Sequence, residues 1–245
     1  MRVAFALLLL LLAGAAGAAG LNVSPVQVRL TPEESKALVT LRNDGEGETR
    51  FQVSAVAWDE DAVKGMVLTP TQDVVFFPAL FVLKAGETKN VRVGVTVPFG
   101  MMERTYRVFI EELPPPEKPS ATSSARVLTR VGIPVFVAPV KALDDVKLSA
   151  IALGGGKAGI EVRNAGNEHF RVDTVRLEAM AQGGAKLFEK QVSGWYVLAG
   201  GHKRYELELP RAECARVRRL VVSVKTAREE IFQQALDTAG GACAK

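Results

Sequence analysis

Apolar and polar residues alternate with a period of two along much of the chain from Leu21 onward. That period sends successive side chains to opposite faces of a sheet and predicts strands. Leu21 to Leu30 alternates through Val26, Val28 and Leu30, interrupted by Pro25, and Ala37 to Asn43 alternates through Val39 and Leu41. Asn43 leads into the turn NDGEGE, whose residues tolerate positive φ. Phe51 to Trp58 predicts a third strand, Val74 to Leu83 a fourth broken by Pro78, and Val91 to Val97 a fifth. Tyr106, Val108 and Ile110 mark a sixth, which ends at Glu111-Glu112-Leu113-Pro114-Pro115. After a Pro/Ser-rich loop, PPPEKPSATSS, Ser123 to Pro139 reads as one long strand. Ala125, Val127, Thr129, Val131, Ile133 and Val135 share one parity, and Arg126 and Arg130 fall on the other. The run is about twice the usual strand length of ~5–6 residues. A long, apolar, alternating strand of this kind can serve as a template for another chain.

Short strands with turns every 8–12 residues predict a β-sandwich of immunoglobulin type. Pro139 to Asp145 reads as a linker, and the second half repeats the first in weaker form. Leu41-Arg42-Asn43-Asp44-Gly45 is echoed by Val162-Arg163-Asn164-Ala165-Gly166, and Val82-Leu83-Lys84-Ala85-Gly86 by Val197-Leu198-Ala199-Gly200. Two echoes in the same order predict two similar sandwiches in tandem. Six further strands are expected between Val146 and Thr226, and Ile231 to Leu236 is a seventh strand or a short helix. The fold class is therefore all-β, with tandem immunoglobulin-like domains over residues 21–139 and 140–245.

Residues 1–20 read as a targeting segment. Arg2 precedes the apolar run Val3 to Leu12, and Ala16-Gly17-Ala18 fits the small-residue cleavage rule. The run is too short for a membrane span of about 20 residues. The mature chain is expected to start near Ala19 to Leu21, to be exported, and not to insert stably in a membrane. Without Arg2 the formal charge falls from +4 to +3. The basic residues are dispersed and form no block interleaved with aromatics, which speaks against nucleic acid as a partner. The two cysteines, Cys214 and Cys243, are expected to pair, as an even count does in an exported protein.

Little points to catalysis, to a metal or to a cofactor. His169 and His202 sit in predicted turns outside any metal-ligand spacing, and His169 reads as a solvated turn residue. Glu111 and Glu112 point to opposite faces of a strand. Gly154-Gly155-Gly156 lacks the following Lys-Ser/Thr of a phosphate loop. Trp195-Tyr196 is either a sugar-stacking platform or, more commonly for such a pair, half core and half rim.

Four stretches carry a family resemblance by their order and spacing: the first strand with the turn into Leu41-Arg42-Asn43-Asp44, Phe81 to Arg92 (FVLKAGETKNVR), Tyr106 to Pro115 (YRVFIEELPP), and Ile133 to Pro139 (IPVFVAP). In these the chain resembles a periplasmic pilus-assembly chaperone of the PapD-like kind, in a divergent branch. The resemblance implies two sandwiches set at an angle, with a pilus or fimbrial subunit held on the last strand of the first and delivered to an outer-membrane usher. A subunit lacking one strand exposes an apolar groove, into which Ala125, Val127, Thr129, Val131 and Ile133 would drop alternate side chains. The small Ala125 and Thr129 would fill it incompletely, as suits a partner that is handed on. The family's basic pair for a subunit's terminal carboxylate falls on Gln27 and Pro134, which carry no charge; Arg29 and Arg130 are the nearest substitutes. Glu103 matches an interdomain residue of the family, whose Arg partner falls on Ala138. Two other readings stay open: a structural or adhesive surface protein of two immunoglobulin-like modules, and a sandwich-type hydrolase or carbohydrate-binding enzyme.

Overall fold

A computed structural model describes residues 20–61, 65–115, 127–239 and 242. The expected leader, residues 1–19 of it, lies outside the described residues, as do Ala125 and Cys243. The first half folds as ten strands: β1 (Leu21–Ser24), β2 (Val28–Leu30), β3 (Lys36–Asn43), β4 (Thr49–Asp61), β5 (Gly65–Pro70), β6 (Val74–Phe77), β7 (Leu80–Leu83), β8 (Thr88–Val95), β9 (Arg104–Leu113) and β10 (Arg130–Val137). One sheet runs in the order β1-β3-β8-β6 and the other β2-β10-β9-β4-β5, with β7 also paired to β4. Their facing sides enclose a core that includes Leu30, Leu41, Leu83, Val93, Ile110 and Val135, all fully buried.

Two expected strands are each divided between the sheets. The stretch Leu21 to Leu30 splits at Pro25: β1 pairs antiparallel with β3, and β2 pairs parallel with β10. Val74 to Leu83 splits at Pro78, with β6 on β8 and β7 on β4. Proline has no N–H to donate to a ladder, so each is a natural place for the chain to leave one sheet for the other. The β4–β5 hairpin lies outside the sequence expectation. In β5 only Val67 is partly covered while its other residues are exposed, so no apolar stripe announces the strand.

The second half contains β11 (Val146–Leu148), β12 (Ala152–Gly154), β13 (Lys157–Asn164), β14 (Phe170–Met180), β15 (Lys186–Ser193), β16 (Tyr196–Val197), β17 (His202–Glu208), β18 (Arg219–Thr226) and β19 (Ile231–Asp237). The undecided Ile231 stretch is thus a strand. The only helical element among the described residues is a single 3-10 turn, Cys214–Arg216. β11-β13-β12 with β17 make one sheet, and β15-β14-β18-β19 with β16 the other.

The sequence echo has a physical basis. The Asn43 side chain donates to the carbonyls of Gly47 and Leu83 and accepts from the Gly45 N–H. Asn164 donates to Glu168 and Val197 and accepts from the Gly166 N–H, the same pattern in the second sandwich, with the two local bonds at the same offsets. Each asparagine satisfies buried backbone groups where a turn meets the neighbouring strand. Gly166 has an added reason to be glycine. A Cβ there would sit 2.1 Å from the Leu143 carbonyl oxygen, so the linker could not pass.

Cys214 is 5% exposed and disulfide-bonded, and Cys243 is the only other cysteine of the chain. Beside it the Ala242 N–H donates to the Cys214 carbonyl at 2.7 Å, with Ala242 fully buried. The Cys214–Cys243 pairing expected from the sequence would close a loop of about 28 residues and would stabilise by roughly 3–4 kcal/mol on a chain-entropy account. Calorimetry with and without reductant checks this. The second sandwich is expected to melt more than about 10 °C lower when reduced, and coincident melting curves would refute the contribution.

Candidate functional site

The site follows from how β10 is placed. Along its whole length β10 pairs antiparallel with β9, from Arg130↔Glu111 to Val137↔Arg104. On its other side β2 covers only Val135 to Val137. From Arg130 to Pro134 that second edge therefore carries no strand among the described residues. Pro134 is consistent with this, because a proline within a sheet is confined to edges and bulges. Parity is as the alternation predicts, but its consequence differs along the strand. Ile133, one of the residues expected in a partner's groove, is 1% exposed and belongs to the sandwich's own core. Val131 is half-buried at the mouth of that core. Val127 is 88% exposed, and residues 127–129 lie outside β10. The long strand expected from Ser123 thus begins, among the described residues, at Arg130. The reason is that the sandwich core ends near Val131 and, among the described residues, no neighbouring strand pairs with the chain before Thr129, whose carbonyl accepts from the Glu112 N–H.

Residues of the other parity face the cleft between the sandwiches. Gly132 lies over Phe109, where a Cβ would come within 2.8 Å of the ring. Arg130 pairs with Glu111 and lays its guanidinium 4.0 Å from the Phe109 ring centroid. Arg29 reaches across to Glu168 at 2.6 Å. Both residues singled out as substitute anchors are therefore already paired, Arg130 on its own sheet and Arg29 between the sandwiches. Gln27, at the family's other anchor position, accepts a hydrogen bond from the Tyr196 hydroxyl at 2.9 Å.

Trp58 and Phe136 of the first sandwich and Tyr196 and Leu198 of the second form a buried cluster of their own between the two cores. His169 stacks on Phe136, with ring centroids 3.5 Å apart and 12° between planes. Its Nδ1 lies 2.9 Å from the Glu103 carboxylate, and its backbone N–H donates to the same group at 2.8 Å. Glu103 is thus an interdomain residue, and its partner is His169, not an arginine; the expected arginine position, Ala138, is buried. His169, expected in solvent, is only 10% exposed at its side chain. The sequence shows a histidine in a turn, but not that the turn is pressed against another sandwich. The Asn167 amide completes the junction by donating to the Met101 and Lys141 carbonyls. Of the Trp195-Tyr196 pair, Tyr196 is in the buried cluster and Trp195 is 41% exposed at its rim.

At the inner end of the open edge lies a cavity of about 420 Å³. Val26, Pro134, Trp195 and Tyr196 give it apolar walls, and Arg107 and Arg171 also line it. Arg171 is paired with Asp173. Arg107 is held over the Trp58 ring, 4.4 Å from the centroid, and its buried Nε has no hydrogen-bond partner among the described residues. Burial holds its pKa below the ordinary arginine value, against the opposing pull of Tyr196 and Glu60. Nothing in the sequence separates Arg107 from the other arginines, because its isolation depends on which strands flank it.

Residues 20–142 match the family model for the pili and flagellar-assembly chaperone, PapD N-terminal domain. No curated protein matches by sequence. Among solved structures, the chain is similar to the CsuC–CsuE chaperone–tip adhesion subunit pre-assembly complex from archaic chaperone-usher Csu pili of Acinetobacter baumannii. That match has TM-score 0.61 and 16% identity, and covers 88% of this chain and 98% of the other. The Salmonella enterica SafA pilin in complex with the SafB chaperone matches with TM-score 0.55 and 18% identity, over 91% and 99% of the two chains. The Escherichia coli chaperone DraB matches with TM-score 0.54 and 17% identity, over 90% and 98%.

Proposed function

Because the chain belongs to the PapD-type family of pili and flagellar-assembly chaperones, we propose that it is a periplasmic chaperone that completes pilus or fimbrial subunits by lending them a strand and delivers them to an outer-membrane usher. The observation that carries this reading is the edge of β10, which no described strand covers from Arg130 to Pro134, and which the exposed Val127 continues. An uncovered edge offers its N–H and C=O groups to a further strand, and the alternate side chains give that strand its register. Val127, Thr129 and Val131 project beyond or at the end of the core of this sandwich, so they would continue it into the groove of a subunit. Ala125 has the same parity one step further out. Ile133 stays behind as the anchor of the strand in its own core. Two of the similar structures, CsuC–CsuE and SafA–SafB, are chaperone–subunit complexes, which supports the same kind of partner here. The leader read at residues 1–20 supports export, and no helix among the described residues is long and apolar enough to cross a membrane.

Co-expression with a pilus subunit from the same genome tests the reading. The subunit is expected to survive in the periplasm and to co-purify at one-to-one stoichiometry only when this protein is present. Equal subunit survival without it would sink the proposal.

A further inference from the structure

The exposed segment before β10 joins its own sandwich at Thr129, and Glu112 holds that residue by both of its backbone groups. The Glu112 N–H donates to the Thr129 carbonyl at 2.8 Å. The Glu112 carboxylate accepts from the Thr129 N–H at 3.2 Å. A ladder pairs such an N–H with a main-chain carbonyl; here a side chain takes it, and β10 begins one residue later, at Arg130. Glu111 acts on that next residue. Its carboxylate pairs with Arg130, whose guanidinium lies over Phe109. Neighbouring residues of a strand point to opposite faces, so the two carboxylates grip the chain from the two sides of the sheet. Their holds differ in strength. The Arg130 and Glu111 side chains are 58% and 33% exposed, and such a pair contributes little alone. A carboxylate on a backbone N–H at a part-buried position is the stronger contact. The grip also leaves the other edge free. Along an antiparallel pair, alternate residues turn their backbone groups to the same neighbour. Thr129 turns to β9, so Arg130 and Gly132 turn theirs to the open edge. Ala138, of that parity, donates its N–H to Leu30 on the β2 side.

Resting on strand donation as the function, we infer that Glu112 is a positioning residue for the donated segment, with Glu111 as its support. Together they fix where the segment leaves the sandwich and which way Val127, two residues before Thr129, points. Val127 is 88% exposed, so packing does little to orient it. A root held in advance lowers the ordering that a subunit must impose when it binds. The adjacent carboxylates, which cannot share one ligand because they face opposite ways, thus act on two successive residues of one strand.

The test measures amide hydrogen exchange by NMR on the purified protein, together with survival of a co-expressed pilus subunit. In Glu112→Ala the Thr129 amide is expected to exchange about tenfold or more faster than in the wild type, the scale of a hydrogen bond to a charged group. Global melting should change little, because a bond at a strand end opens locally. Subunit survival should fall severalfold. Glu112→Gln keeps an acceptor oxygen and should restore most of both. Glu111→Ala should leave the Thr129 amide slow and weaken protection less than Glu112→Ala does. Glu112→Val, β-branched and without an acceptor, repeats the test if the alanine variant folds poorly. Wild-type exchange at Thr129 in these variants, or full subunit protection despite faster exchange, overturns the inference while strand donation stands. A wild-type protein that protects no subunit overturns strand donation itself, and the inference with it.

Discussion

Val127→Asp is expected to melt within a degree or two of the wild type and yet to lose most of its ability to protect a subunit. Val127 is 88% exposed and lies outside β10, so a carboxylate there stays in water in the free protein. Surface substitutions of this kind change stability by no more than about 0.5 kcal/mol. In a complex the same side chain would enter an apolar groove, where an unpaired carboxylate costs several kcal/mol or must take up a proton. The replaced valine would also forfeit about 1.5–3 kcal/mol of burial. Val131→Asp should fail differently. Val131 already packs on the core of the free protein, so its variant is expected to lose both thermal stability and binding. Leu128→Asp is a control of opposite parity, exposed but not aimed into the groove, and should protect a subunit nearly as well as the wild type. Melting curves on the purified variants, with subunit survival on co-expression, separate these outcomes. Loss of fold in Val127→Asp, or equal binding loss at Leu128, would count against strand donation.

Phe136→Ala should uncouple the two sandwiches. Phe136 is fully buried, stacks on His169 at 3.5 Å, and stands 5.9 Å from Trp58 and 5.4 Å from Tyr196. Removing a buried phenylalanine costs about 3–5 kcal/mol through lost contacts and the cavity left behind. Here the cavity opens at the junction, away from either main core. The loss falls on the contact that holds His169 against the Glu103 carboxylate, leaving a buried acid with a poorly held partner. Two separate calorimetric transitions are expected in place of coupled melting, and small-angle scattering should show a wider spread of interdomain distances. Subunit binding should weaken as well, because the cleft that ends the open edge is built from both sandwiches. A variant that melts as one unit at the wild-type temperature would show that the aromatic cluster is not what joins them.

The alternation of Val39 with Leu41, of Val91 with Val93, and of Val131 with Ile133 and Val135 is a property of the chain alone. It determined that the protein is built of strands and which side chains face inward, because period two has only one reading on a pleated backbone. The repeated Asn43 and Asn164 turns were legible for the same reason: a local sequence makes a local hydrogen-bond pattern. The PapD-like kinship was legible in order and spacing, as the match over residues 20–142 shows. Alternation says nothing about how far a core extends, so it could not tell that Ile133 is interior, Val131 marginal and Val127 exposed. Nor could it show that Pro25 and Pro78 are crossings between sheets, since a proline marks a break without naming the next partner. The residues of the cleft were the least legible. His169 is buried and Arg29 is paired because two sandwiches meet there, Arg130 is paired across its own sheet, and among the described residues the Arg107 Nε has no hydrogen-bond partner. Burial and pairing at such a junction are set by residues far apart in the chain, as Arg29 and Glu168 are, and no local pattern encodes them.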